Sequence, residues 1–522
     1  MQQPYSRTLF ELLDEQATRN PDGLAVICEG RRFTYAGLAQ AARQSAGALR
    51  TMGVGRGDRV GLLINNRIEW LEIAFGAWLL GAVAVPFSTW STRAELDFLI
   101  GDAAISVLIT LPNFAREDYA AILRDIAPNH ALLRHVLMLD AWAALRDAAP
   151  RLDTPAPGDG AGASDDAIIL YTSGSTSRPK AIPLAHYLIV ENGFNIGERQ
   201  GLRADDRVHL SPPLFWTYGG VNALPATFTH GAALVLQGRF DAGQALDLIE
   251  AHACTSIYTL PSMTSAMVRH AAFSPERTRS LRTGMTIGSP QDVRMAVEVL
   301  GAAELCNIFG ASETGGNCCV THHSWPLERR ANCQGLPLPG VRLRIADEDG
   351  APVPQGQPGQ VEVSGPYVMR GYTCGSAQHN ASSFTADGWF RSGDIGSLDA
   401  DGAFVFQGRS TEMIKRAGIN VSPAEVEDVL LQHPGVAQAG VIGLPSDAGE
   451  SIVAFVVAAN AANAPTPEQL AAHCRTIASS YKVPDRFEIV ASLPTTVTGK
   501  LMRRELKALA LDTVAPPLVS VV

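Results

Sequence analysis

The chain has 522 residues, 46% of them hydrophobic and 18% charged. That is enough apolar material for several folded units of about 150 residues each, and it excludes a disordered chain. With 42 Lys and Arg against 52 Asp and Glu, the formal net charge is −10. This excludes a general nucleic-acid binder, which needs a basic face, and means that an anionic ligand must be held by a local cluster of donors.

Met1 to Arg7 run directly into Glu11, Asp14 and Glu15 without an apolar stretch, so no secretory leader is expected. Strand-like segments at 24–28 and 32–34 flank Glu29-Gly30 as a hairpin; 35–52 has helical spacing, 59–64 is an apolar strand and 69–80 a helix. Residues 83–86 and 105–110 read as buried strands. The longest low-polarity run, 74–87, is short of the ~20 residues of a membrane span and is read as a core helix followed by a strand. Strands separated by helices of this length imply parallel sheets wrapped by helices. A Pro/Gly/Asp-rich loop, 147–166, leads into a strand at 167–171.

From about residue 335 the glycines 335, 340, 350, 356, 359, 365 and 371 punctuate short segments such as 360–364, which suggests antiparallel β structure. After Gly408-Arg409 a compact α+β tail is expected, with helices at 425–431 and 466–479 and strands at 438–442, 452–458 and 487–490. The eight cysteines show no C-x-x-C spacing and read as reduced thiols of a cytoplasmic protein. The Cys318-Cys319 and His322-His323 pairs read as structural, because sequence neighbours on a strand point apart.

Five segments carry chemistry. Following the apolar strand, Thr172-Ser173-Gly174-Ser175-Thr176-Ser177-Arg178-Pro179-Lys180 offers backbone N–H groups, hydroxyls and one cation, the groups a polyphosphate needs. It is not a Walker A loop, since Pro179 stands where that motif has Gly. In Asn307-Ile308-Phe309-Gly310-Ala311-Ser312-Glu313, an aromatic ring before a glycine can stack a purine, and Glu313 is a hard oxygen donor suited to Mg²⁺. Asp394, after Gly393, can accept hydrogen bonds from both hydroxyls of a ribose. Gly408-Arg409 opens the C-terminal unit, and Thr498-Gly499-Lys500 presents a single lysine. Neither a G-x-S-x-G nucleophile elbow nor a G-x-G-x-x-G dinucleotide loop is present in a suitable setting.

Together, in this order and spacing, the five segments resemble the adenylate-forming superfamily of acyl- and aryl-CoA synthetases, nonribosomal peptide synthetase adenylation domains and luciferases. The resemblance is nearest to a freestanding acyl-CoA or benzoate-type CoA ligase. It implies an α/β fold: a large N-terminal AMP-binding domain, 1–408, and a small mobile α+β C-terminal domain, 412–522, joined by a hinge at 409–411. The large domain would hold two helix-flanked β-sheets to about 334 and a β-barrel-like subdomain over about 335–408.

The implied reaction joins a carboxylic acid to AMP from ATP with loss of pyrophosphate, then passes the acyl group to a thiol. In it Lys500 would bridge the carboxylate and the α-phosphate, Thr172 to Thr176 and Lys180 would hold the β- and γ-phosphates, and Glu313 with Thr176 would hold Mg²⁺. Phe309, within the nucleotide-binding run Asn307 to Ser312, and Gly288-Ser289-Pro290 would flank adenine. Asp394 and Arg409 would fix the ribose, Thr411 would be the hinge, and Ala417-Gly418 would line a pantetheine tunnel. The chain departs from the family pattern at Ser177 and Ala181, where Gly is usual, at Ser312 in place of Thr, and at Thr411, where Asp or Lys is usual.

Amino-acid-activating relatives place Asp where this chain has Trp216, so an α-amino acid is not expected. Trp216 and Tyr218 would wall an apolar pocket, and Gly219, Gly220, Gly315 and Gly316 either leave space for the acid or serve backbone packing. The acid is expected to be aromatic, alicyclic or of medium length. Free CoA is the expected thiol, with carrier-protein phosphopantetheine as the alternative. No membrane span is expected, and a homodimer stays open.

Overall fold

A computed structural model describes residues 7–115, 117–156, 158–172, 179–373, 377–410, 412–416, 419–446, 449–478, 482–496 and 501–512. Contacts divide the chain into two compact units: Met1–Gly288, Asp292–Leu343 and Val363–Phe390 form the first, and Ser289–Gln291, Arg344–Glu362 and Arg391–Val522 the second. Segments 344–362 and 391–408, which the sequence groups with the large domain, thus cluster with the C-terminal residues. Phe404–Arg409 lies antiparallel on Phe390–Leu398, in a four-stranded sheet that also takes Arg342–Ala346 and Gly359–Ser364 in chain order.

The first unit is built on two mostly parallel sheets, one with an antiparallel strand at one edge and the other with antiparallel strands at both. In the six-stranded one, Val83–Pro86, Arg59–Leu63, Val107–Thr110 and His135–Met138 run parallel, and Asp166–Thr172 and Lys180–Ala185 close one side as a hairpin. The central strands of this sheet are buried continuous runs, as strands covered on both faces require. The nine-stranded sheet carries Leu24–Cys28, Ala233–Leu236, Arg207–Leu210, Ser256–Tyr258, Thr283–Thr286 and Cys306–Ala311 in parallel, with Gly316–Val320 folding back on the last of these.

The apolar run at 74–87 falls where its pattern places it, in the helix Ile68–Leu79 and the strand Val83–Pro86. That helix is buried nearly all round. Gly76 allows it to approach Tyr35–Thr51 closely, since a Cβ there would stand 2.8 Å from both the Ser45 Cβ and the Ala46 nitrogen. Tyr35–Thr51 itself starts at a Thr34 cap whose hydroxyl accepts from Gly37 N–H at 3.1 Å.

In the second unit, Gly449–Ala458 pairs with Val436–Ser446, Ile414–Arg416 and Arg486–Ile489. Its side chains alternate between two cores: Ile452, Ala454 and Val456 face Val426, Leu430 and Leu470, while Val453 and Phe455 face Leu506 and Ala510. The helices Pro423–Leu431 and Pro467–Ile477 therefore cover one face and Arg503–Asp512 the other.

Candidate active site

The proposed phosphate loop is the turn of the hairpin in the six-stranded sheet. Thr172 pairs with Lys180 in the last rung, and Ser173, Gly174, Ser175, Thr176, Ser177 and Arg178 lie outside the described residues. Lys180 Nζ stands 5.0 Å from the centroid of the Tyr372 ring. The Tyr372 hydroxyl donates to Glu313 Oε1 at 2.9 Å. One tyrosine thus touches both the cation and the carboxylate that the sequence singled out. Sequence reading missed it; the only local sign was the Gly371-Tyr372 doublet.

Glu313 lies in the short turn Ser312–Thr314, where Cys306–Ala311 folds back as Gly316–Val320. The turn is fixed from several sides. Met369 N–H donates to the Glu313 carbonyl at 2.7 Å, and the Asn192 and Asn222 amides donate to the Gly315 carbonyl at 3.0 and 3.1 Å. The Ser312 and Thr217 hydroxyls share a hydrogen bond of 2.5 Å. Upstream, Asn307 is fully buried, and its amide donates to the Gly288 carbonyl at 3.4 Å and the Cys333 carbonyl at 3.3 Å, joining two segments expected around adenine. Ile308 N–H returns to Asn307 Oδ1 at 3.0 Å. Ile308 and Phe309 are buried, while Gly310 and Ala311 are half-buried. Ser289 precedes the helix Pro290–Arg294, which Pro290 opens.

Thr217–Ala223 is a π-helical turn, a geometry frequent at functional sites. Just before it, Trp216 and Phe215 meet Trp90, with ring centroids 5.2 and 5.5 Å from that indole in edge-on contact. Trp90, between a strand and a capped helix, had no periodicity to mark it. Tyr218 packs on Tyr258 at 5.1 Å and donates to the Thr259 carbonyl at 3.3 Å. Burial, with Tyr258 adding to it, holds the Tyr218 hydroxyl well above the ordinary phenol range.

The glycines around this turn serve packing. A Cβ on Gly219 or Gly220 would overlap the Pro213 or Leu214 carbonyl, and one on Gly316 the Asn222 amide. Gly315 and Gly316 also adopt φ of +69° and +85°. These close approaches give the backbone-packing reading a physical basis.

In the second unit, Asp394 and Arg409 are opposite each other in register, and Arg409 Nε donates to Asp394 Oδ1 at 2.9 Å. Asp394 is 3% exposed, and its N–H donates to Ser392 Oγ at 3.1 Å. Arg409 Nη1 also reaches the Ser392 carbonyl at 3.2 Å. Thr411, Ala417, Gly418 and Lys500 lie outside the described residues. Around Lys500 the flanks meet: Thr495 bridges Leu501, and Met502 N–H donates to the Pro494 carbonyl at 2.9 Å. Arg503 then binds both oxygens of Glu427 at 2.6 and 2.9 Å.

Among the described residues no three His, Cys, Asp or Glu side chains converge as a metal cage. Mg²⁺ bound to a nucleotide needs only one or two carboxylates beside phosphate oxygens, and Glu313, a carboxylate held at one oxygen by the Tyr372 hydroxyl, fits that demand. Cys318 and Cys319 are buried in their strand, and His323 Nδ1 pairs with Glu304 at 3.0 Å.

Fold and site features define a two-unit enzyme of the carboxylate-activating class. Residues 13–373 match the AMP-binding enzyme family and residues 425–500 the AMP-binding enzyme C-terminal domain, and the chain belongs to this family. A feruloyl-CoA synthase from Amycolatopsis sp is 34% identical over 94% of this chain and 97% of its own length. A fatty acid–[acyl-carrier-protein] ligase, ScoC of Streptomyces coeruleorubidus, is 32% identical over 97% and 96%. An anthranilate CoA ligase, AuaEII, solved with anthranoyl-AMP, superimposes with a TM-score of 0.88 at 27% identity, covering 98% of this chain and 99% of that one. The chain is an AMP-forming acid–CoA ligase that uses ATP and CoA as co-substrates. Among the described residues no helix is long and apolar enough to cross a membrane.

Proposed function

We propose that the chain makes the CoA thioester of an aromatic carboxylic acid in the cytoplasm. The observation that carries this reading is the aromatic group Trp90, Phe215 and Trp216 at the head of the turn whose Thr217 is bonded to Ser312, next to Glu313. Aromatic walls suit a flat apolar acid. Relatives named for ferulate and anthranilate support the same choice.

The acid carboxylate attacks the α-phosphorus of ATP and pyrophosphate leaves. Two anions approach, so the residues must supply positive charge and alignment. Lys180, with Thr172 to Thr176, holds the β- and γ-phosphates. Lys500 neutralises charge between the carboxylate and the α-phosphate. Phe309 and Gly288 to Pro290 hold adenine, and Asp394 with Arg409 holds the ribose. Mg²⁺, when bound at Glu313, with Thr176 as the other protein ligand, offsets phosphate charge. For the second step the C-terminal domain rotates at Thr411, and the CoA thiol, reaching in past Ala417-Gly418, takes the acyl group as AMP leaves. Free CoA is the acceptor we favour, and a carrier-protein thiol is the competing one.

Mass spectrometry of products from enzyme, Mg·ATP, CoA and a pooled panel of aromatic, alicyclic and medium-chain acids tests the proposal. An aryl-CoA product supports it. Thioesters of only alicyclic or aliphatic acids overturn the aromatic assignment. Aryl-AMP without a thioester overturns CoA in favour of a carrier protein.

A further inference from the structure

Tyr372 sits on a segment whose backbone is fixed at both ends of the site. On one side Met369 N–H donates to the Glu313 carbonyl at 2.7 Å; on the other Thr373 N–H donates to the Ala181 carbonyl, next to Lys180, at 3.2 Å. Between them Asn380 clamps the tyrosine backbone, accepting from Tyr372 N–H at 2.8 Å and donating to its carbonyl at 3.0 Å. Gly371 enters this clamp at φ +138°, where a side chain would be strained. The side chain is 8% exposed, so its position is set by packing on a backbone held at four points.

Besides a side-chain hydrogen bond with Ser383, Tyr372 contacts both charged groups of the site. The hydroxyl donates to Glu313 Oε1, and the ring face lies under the Lys180 ammonium. A ring face carries negative electrostatic potential and attracts an ammonium, and a hydroxyl on a carboxylate selects one orientation of its oxygens. Among the described residues Lys180 and Glu313 form no ion pair with each other. The same tyrosine therefore holds a cation and an anion in one site, and neither charge is spent on the other.

We propose that Tyr372 is a positioning residue for adenylate formation, its hydroxyl orienting Glu313 for Mg²⁺ and its ring orienting Lys180 for phosphate. This rests on the roles of Glu313 and Lys180 given under the proposed function. Outer partners of metal-binding carboxylates typically contribute about 10- to 100-fold in metal affinity or activity.

The test is calorimetric titration with ATP, in EDTA and in Mg²⁺, on the wild type, Tyr372→Phe and Glu313→Gln. The phenylalanine keeps the ring over Lys180 and removes one hydroxyl. The expected result is unchanged ATP affinity in EDTA, a gain on adding Mg²⁺ that is about tenfold smaller than in the wild type, and activity restored by excess Mg²⁺. Glu313→Gln should lose the gain altogether. If Glu313→Gln loses it while Tyr372→Phe keeps all of it, the tyrosine inference falls and the proposed function stands. If Glu313→Gln keeps it, the metal role of Glu313 falls and the inference with it. A lowered unfolding temperature in Tyr372→Phe with unchanged Mg²⁺ dependence would make the residue structural only.

Discussion

Asp394 and Arg409 meet across adjacent antiparallel strands, Nε to Oδ1 at 2.9 Å, but only the aspartate is buried: its side chain is 3% exposed and that of the arginine 43%. The asymmetry decides what each substitution does. Losing Asp394 leaves a guanidinium that water can reach, whereas losing Arg409 strips a partner from a buried carboxylate. Arg409→Leu should therefore cost about 1–3 kcal/mol of stability and Asp394→Asn under ~1 kcal/mol, while both raise KM for ATP about tenfold or more. Denaturant midpoints and ATP saturation curves check this. Equal stability losses would contradict the burial argument, and an unchanged KM in both variants would remove the pair from the nucleotide site.

Gly316 separates clash from backbone strain. At φ +85° its substitution carries the left-handed penalty and also drives a methyl into Asn222, which holds the Gly315 carbonyl behind Glu313. Gly350 has nearly the same φ, +82°, with open space around a Cβ. Gly350→Ala should cost about 1 kcal/mol with activity intact, and Gly316→Ala about 3 kcal/mol or more with adenylate formation severely reduced. Unfolding midpoints of the two variants, compared with their rates, decide the matter.

Two histidines give the stability a pH slope. His186 and His209 are buried, and burial lowers their pKa values to about 3 and about 4. The His186 ring accepts from Leu9 N–H at 3.2 Å, which requires a neutral Nδ1. Because the folded values lie below the unfolded ~6.5, the unfolded state binds protons first. Stability is then full above pH ~6.5 and falls on acidification, by about 2 kcal/mol per histidine between pH ~6.5 and ~5. Urea midpoints across that window should shift accordingly, with a shallower slope in His209→Gln. A flat profile would contradict neutral burial.

Much of this was legible in the sequence because the relevant signals are local. The helical spacing at 35–52, the apolar strand at 59–64 and the strand at 452–458 fix elements from a few neighbouring residues. Glu313, Asp394 and Lys180 stood in compact motifs. Tyr372 was missed because it reaches Glu313 across 59 positions and Lys180 across still more, and no periodicity links them. Trp90 was missed for the same reason. The glycines at 219, 220, 315 and 316 were ambiguous because sequence does not say which carbonyl lies where a Cβ would go.

The central claim, that a carboxylate is first joined to AMP and only then meets CoA, is tested most directly by exchange of labelled pyrophosphate into ATP with the accepted acid present and CoA absent. The account predicts acid-dependent exchange in the wild type and none in Lys500→Ala, which should still form thioester from supplied acyl-AMP. Exchange that requires CoA, release of ADP and phosphate, or equal loss of both half-reactions in Lys500→Ala would contradict it.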